Sequence, residues 1–249
     1  MIDIYKKNVF IFDFDGTIVD SLDMFDVIDK KIIYDLANIS IDNIYEVRAK
    51  YKKDSKIQNT DNYISYLNKQ FDSNISKDVF IELRNKYIIA YVKNVKLKEN
   101  ISVFINLLRT LNKKLYIITN NNIIDIYQKN NPSVNSILNK MNDIIVCTKE
   151  HKKPSGDIYK MFLNDNNYPS RECIVFDDSK DGAISANKNS IDVINIYDKK
   201  SQKYINDINR ITKYTNYEFN DLIDKELFIN KNRIHVLKIL IYKCYYILL

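Results

Sequence analysis

Five short apolar runs limit what this chain can fold into. They are VFIFDF (residues 9–14), LYIIT (115–119), IIVC (144–147), CIVFD (173–177) and VINIY (193–197). Each has the length and unbroken apolarity of a parallel strand buried on both faces. Between the later runs, apolar residues recur at steps of three and four. Ile101, Phe104, Ile105, Leu108 and Leu111 form one such face, and Ile158, Met161 and Phe162, after Pro154, form another. Strands alternating with helices imply βαβ units, hence an α/β fold with a parallel sheet covered on both sides.

Residues 21–95 break that rhythm. Phe25, Ile28, Ile32 and Ile33, then Tyr63, Tyr66 and Leu67, then Val79, Phe80, Leu83 and Tyr87 follow helical spacing with no strand between them. The expected organisation is a core of residues 1–20 and 96–227, a helical insert at 21–95, and an apolar tail at 228–249. The basic stretch at 45–56 reads as an exposed helix face. The tail contains VLKILIYKCYYILL, too short and too interrupted by Lys238 and Lys243 for a membrane span. A packed terminal helix is the leading expectation, with contact to a membrane surface or a partner as the alternative.

Composition narrows the function classes. The formal charge of +6 comes from acids and bases interspersed along the chain, with no arginine stripe interleaved with aromatics, so no nucleic-acid partner is expected. Cys147, Cys173 and Cys244 form no CxxC pair and are odd in number, which fits a reducing compartment and a cytoplasmic location. The N-terminus lacks a signal-peptide layout. No GxxxxGK[ST], GxGxxG or HExxH motif occurs.

The chemistry gathers at the strand ends. The first run ends in Asp13, with Asp15 two residues on and Gly16 following. The second ends in Thr119 and Asn120, and the fourth in Asp177 and Asp178. In an open parallel sheet the ligand crevice lies beyond the carboxyl ends of the strands, so these residues converge although they are distant in sequence. Asp13, Asp15, Asp177 and Asp178 are hard oxygen donors without a neighbouring His or Cys, a set suited to Mg²⁺ with water and a substrate phosphate. Clustered carboxylates would otherwise raise one another's pKa. Aspartate also serves as a covalent nucleophile, and a second carboxyl nearby as general acid and base. Lys153, held extended by Pro154, offers a cation for phosphoryl oxygens. Thr119 offers a hydroxyl, Asn120 an amide, and Gly16 a close backbone approach to a phosphate.

DFDGT at 13–17, IITN at 117–120, KP at 153–154 and DDSKDG at 177–182 resemble the four ordered motifs of the haloacid dehalogenase superfamily. DDSKDGAISANKNS resembles its phosphoglycolate phosphatase and beta-phosphoglucomutase branch. The resemblance implies a Rossmann-like core with an inserted helical cap. It further implies that Asp13 is nucleophile and metal ligand. Asp15 would be the general acid/base and lend its backbone carbonyl to Mg²⁺. Thr119 would hold the phosphate with Asn120 beside it, Lys153 would steady phosphate and nucleophile, Asp178 would ligate the metal, and Asp177 would ligate it directly or through water. Because Asp15 is absent from the metal-free dehalogenases, its presence favours phosphoryl transfer.

The expected activity is therefore Mg²⁺-dependent hydrolysis of a small phosphorylated metabolite through an aspartyl-phosphate. A phosphosugar mutase on the same fold is the first alternative. A non-catalytic binding or regulatory module is the second, and it would leave the clustered carboxylates without a purpose.

Overall fold

A computed structural model of the protein describes residues 4–42, 44–54 and 60–223. The tail expected at 228–249 lies outside the described residues. All five apolar runs form strands: β1 (Val9–Phe12), β2 (Lys114–Thr119), β3 (Asp143–Val146), β4 (Cys173–Asp177) and β5 (Asp192–Asn195). They make one parallel sheet in the order β3-β2-β1-β4-β5. Consecutive strands therefore leave β1 in opposite directions, and the crevice at its carboxyl end opens between β2 and β4.

β4 keeps the bounds read from the sequence, and the other four strands shift by one or two residues at one or both ends. β1 stops at Phe12, not Phe14. The Asp13 N–H still bonds to the Phe176 carbonyl, but Phe14 already accepts from Ile18 and Val19 in a turn. β3 is an edge strand, and Val146 is 39% exposed. Its apolar run therefore does not mark a strand buried on both faces. β5 is the other end of the sheet, yet residues 214–217 cover its edge. There Asn195 and Tyr197 donate to the Tyr214 and Tyr217 carbonyls.

The described residues fall into two compact units, one of 4–20 with 96–223 and one of Ser21–Val95. The elements described in the second unit are all helices: α1 (Met24–Ala37), α2 (Ile44–Asp54), α3 (Thr60–Phe71) and α4 (Lys77–Val92). Ile28, Ile32, Ile33, Ile64, Leu67, Phe80 and Ile88 are among its buried residues from α1, α3 and α4. The basic α2 does more than present a solvated face. Its Arg48 guanidinium donates to the carboxylates of Asp26 (2.6 Å) and Asp29 (2.5 Å) and to the Phe25 carbonyl.

In the first unit α5 (Ile101–Thr110) packs on β2. Phe104 from α5 meets Phe10, Phe12 and Phe176, whose own rings stack on one face of the sheet. Leu111 caps this helix and is 36% exposed, outside the buried face expected for it. After β2 come α6 (Ile124–Asn130) and α7 (Pro132–Leu138), the latter capped by the Asn131 side chain accepting from the Val134 N–H. α8 (Asp157–Asn166) and α9 (Lys180–Asn187) follow, then a short α10 (Ile205–Ile208). Ile158, Tyr159 and Phe162 of α8 and Ala183 and Ala186 of α9 share a core with Val9, Ile11, Val175 and Val193. Met161 instead faces solvent. Alternate β1 residues thus point to opposite layers, as a buried parallel strand requires.

Candidate active site

The strand register decides which polar residues meet. Phe12 pairs with Phe176 and with Ile117, so Asp13, Asp177 and the end of β2 emerge at one level. Asp13, Asp177 and Asp178 bring one carboxylate oxygen each to within 4.8 Å of one another. Lys153 lies among them. Its Nζ donates to Asp13 Oδ1 and to Asp177 Oδ2, at 2.8 Å in both cases. A turn lysine is ordinarily on the surface, but Lys153 is only 5% exposed.

Burial would lower the Lys153 pKa, but Asp13 and Asp177 outweigh it and hold the ammonium well above its usual range. Burial raises the Asp13 carboxyl to about 7; Lys153 opposes this, and Asp177 and Asp15 add to it. Asp178 is pushed well up, first by burial and then by Asp177 and Asp13. Three carboxylates against one ammonium therefore leave an anionic cluster that favours either protons or a cation. Hard oxygen donors, with no sulfur or imidazole among them, fit a Mg²⁺ ion completed by water and substrate oxygens.

The remaining expected residues take distinct places. Asp15 is outside the three-carboxylate cluster, and its Oδ2 accepts from the Asn121 amide at 2.6 Å. Thr119 is buried, and its hydroxyl oxygen accepts from the Asn121 N–H at 3.0 Å. Asn120 accepts from the Lys153 backbone N–H at 3.3 Å and so ties the lysine's turn to the end of β2. Gly16 has φ +76, and a Cβ there would sit 2.6 Å from the Asp178 carboxylate. Its N–H donates to the Val19 carbonyl. Gly182 is equally constrained, since a Cβ would stand 1.8 Å from Asp177 Oδ2. Two glycines are thus needed because an acid lies against each.

Several supporting residues escaped the sequence reading. The Thr17 hydroxyl donates to Asp178 Oδ1 and accepts from the Asp178 N–H. Ser201 donates to Asp178 Oδ2. Ser179 caps α9, and both its N–H and its hydroxyl donate to Asp177 Oδ1. Asn195 donates to the carbonyls of Asp177 and Asp178, at 3.1 and 3.0 Å. Asn195 had a signal, being an amide inside the apolar run VINIY; Ser201 had none.

Similar architectures are known at low sequence identity. One is an HAD family hydrolase from Deinococcus radiodurans with bound phosphate and sodium: 16% identity, TM-score 0.68, covering 90% of this chain and 96% of that one. A beta-phosphoglucomutase from Clostridium difficile has 18% identity and TM-score 0.60 over 92% of this chain and 99% of the other. A predicted phosphoglycolate phosphatase from Haemophilus somnus has 14% identity and TM-score 0.60, with 89% and 98% covered. No curated protein matches the sequence. At such identities these structures speak for the fold. Residues 7–189 match the model of the haloacid dehalogenase-like hydrolases, and the chain belongs to that hydrolase family.

Proposed function

We propose that the protein is a Mg²⁺-dependent phosphatase that hydrolyses a small phosphomonoester through an aspartyl-phosphate. The observation that carries this reading is Asp13, held by Lys153 at 2.8 Å at the centre of an acidic cluster. Asp13, Asp177 and Asp178 would hold the metal, with the Asp15 carbonyl as the family resemblance implies. When bound, Mg²⁺ would offset the negative charge on the phosphoryl oxygens.

The chain's own groups account for the proton and bond changes. An Asp13 carboxylate oxygen attacks phosphorus, and the bond from phosphorus to the leaving oxygen breaks. The Asp15 carboxyl gives its proton to that oxygen. Water then attacks the same phosphorus while Asp15 takes a proton back, and the bond to Asp13 breaks to release phosphate. The amide of Asn121 orients Asp15 for both transfers. The Thr119 hydroxyl, already accepting from Asn121, has its proton to donate to the phosphate, and Asn120 stands beside it. Lys153 steadies the nucleophile and, as the family resemblance implies, would offset charge on the phosphoryl group. In this reading residues 21–95 act as the cap that selects the substrate.

The test is phosphate release from an aryl phosphate and a panel of small phosphoesters, including phosphosugars. Release is expected with Mg²⁺, is expected to vanish with a chelator, and is expected to fall to background in Asp13→Asn. Phosphosugar isomerisation without net phosphate release would replace hydrolysis by a mutase reaction. Absence of both from folded protein would overturn the reading.

A further inference from the structure

The Asp178 carboxylate is held on both oxygens by hydroxyls that come from different parts of the chain. Thr17 donates to Oδ1 at 3.3 Å and Ser201 donates to Oδ2. Thr17 belongs to the loop that leads from β1 to residue 20. Ser201 follows β5, and its place is fixed by a small built structure. The Ser201 N–H donates to the Asp198 carbonyl at 3.1 Å. The Asp198 Oδ1 accepts from the Lys200 N–H at 2.8 Å, closing the turn. Asp198 Oδ2 is paired with Lys98 Nζ at 2.9 Å, and the two side chains are only 5% and 16% exposed.

Lys98 in turn belongs to the segment by which the chain returns from residues 21–95. That segment is stitched to the outgoing one. Asp20 N–H donates to the Lys96 carbonyl and Lys98 N–H to the Ile18 carbonyl, both at 2.9 Å, with Val19 and Leu97 paired antiparallel between them. Both connecting segments therefore end on the same carboxylate, one through Thr17 and the other through Lys98, Asp198 and Ser201. A buried pair such as Lys98 with Asp198 is weak evidence of stabilisation in itself, because desolvation offsets much of its attraction. A role in fixing geometry accounts better for where it sits.

We infer that Lys98, Asp198 and Ser201 are positioning residues that fix the Asp178 carboxylate for a divalent cation. The inference rests on the reading of Asp178 as a metal ligand. Partners one step removed from a ligand ordinarily change metal affinity by about 10- to 100-fold when lost. The pair can be removed without changing the net charge, which separates geometry from electrostatics. Lys98→Met/Asp198→Asn does this, and Ser201→Ala removes the last contact alone.

The experiment is titration of the full chain with Mn²⁺, followed by its electron paramagnetic resonance signal, and with Mg²⁺ by calorimetry. Thermal denaturation of each variant shows that it is folded. The double variant and Ser201→Ala are each expected to weaken binding about tenfold. Combining all three changes is expected to weaken it no further, because residues acting through one contact are not additive. Lys7→Met/Asp192→Asn, a charge-matched change at the opposite end of the sheet, is expected to leave the affinity unchanged. Unchanged affinity in the Lys98, Asp198 and Ser201 variants, or an equal loss in the Lys7 control, would overturn the inference while the metal site stands. Failure of the parent chain to bind either ion would overturn this inference and the Mg²⁺ reading with it.

Discussion

The two ends of one parallel sheet treat charge in opposite ways. At the amino ends, Lys7 pairs with Asp192 and donates to the Arg171 carbonyl, while the Asn8 amide donates to Glu172. One ammonium meets one carboxylate there, and Asp192 is 47% exposed, so water shares the load. At the carboxyl ends, Asp13 and Asp177 share the ammonium of Lys153, Asp178 stands beside them on the hydroxyls of Thr17 and Ser201, and Asp177 is fully buried. A cluster that only holds strands together has no reason to carry a surplus of buried negative charge. The contrast separates two uses of charge: it is paired where Lys7 meets Asp192 and left unbalanced at the carboxyl ends, where the proposed cation would complete the site.

The largest expected break in that contrast is Gly182→Ala. The new methyl group would overlap Asp177 Oδ2, so either Asp177 or α9 must move. Displacing Asp177 strips Lys153 of a partner inside the core. Overpacking together with a broken buried pair costs about 4 kcal/mol. Chemical denaturation is expected to show a loss of that size, with phosphate release reduced to background. A variant that keeps parental stability and turnover would mean that Asp177 has room to yield.

Lys153→Met comes next and tests the imbalance itself. It leaves the buried carboxylates without their cation, at a cost of about 3 kcal/mol in metal-free protein near neutral pH. The sign of the pH dependence follows from Asp13. Its carboxyl titrates at about 7 in the fold against an ordinary 3.8, burial being the chief cause. A carboxyl raised in this way supports the fold below its ordinary value, and that support is lost as pH climbs through about 7. Removing Lys153 takes away the group that holds the Asp13 value down. The loss of stability is therefore expected to be larger at about pH 8 than at about pH 5. Denaturation at the two pH values, with chelator present, measures it; equal losses would show that Lys153 does not offset these acids.

The same contrast marks what the sequence could disclose. The strands were legible because an unbroken apolar run of four to six residues has few other uses. The polar strand ends were legible because DFD, LYIIT and CIVFD place two acids, a threonine and a third acid where parallel strands open. Burial was not legible. IIVC and VINIY look alike, yet β3 lies exposed at an edge while residues 214–217 cover β5. Pro154 and the KP motif single out Lys153, but they do not disclose that packing makes it inaccessible and sets it between two acids. Gly16 suggested close approach to a phosphate; what presses on it is the Asp178 carboxylate, supplied from a loop far along the chain. Ser201 reads as one more polar loop residue, because its role depends on a contact across 23 positions.

The smallest expected effect belongs to the amino ends. Lys7→Met removes the ammonium from a partly exposed pair and leaves the Arg171 carbonyl to water. Such pairs contribute about 1 kcal/mol or less, and salt screens them. A stability loss of about that size is expected, shrinking further in concentrated salt, with phosphate release and its Mg²⁺ dependence unaltered. A larger effect on turnover than on stability would mean that the two ends of the sheet are coupled through β1 and β4, and the division of labour between them would fall. A loss confined to stability would sharpen it. The balanced pair would then serve the fold alone, and the unbalanced cluster one sheet-length away would be the part of the molecule that requires a ligand.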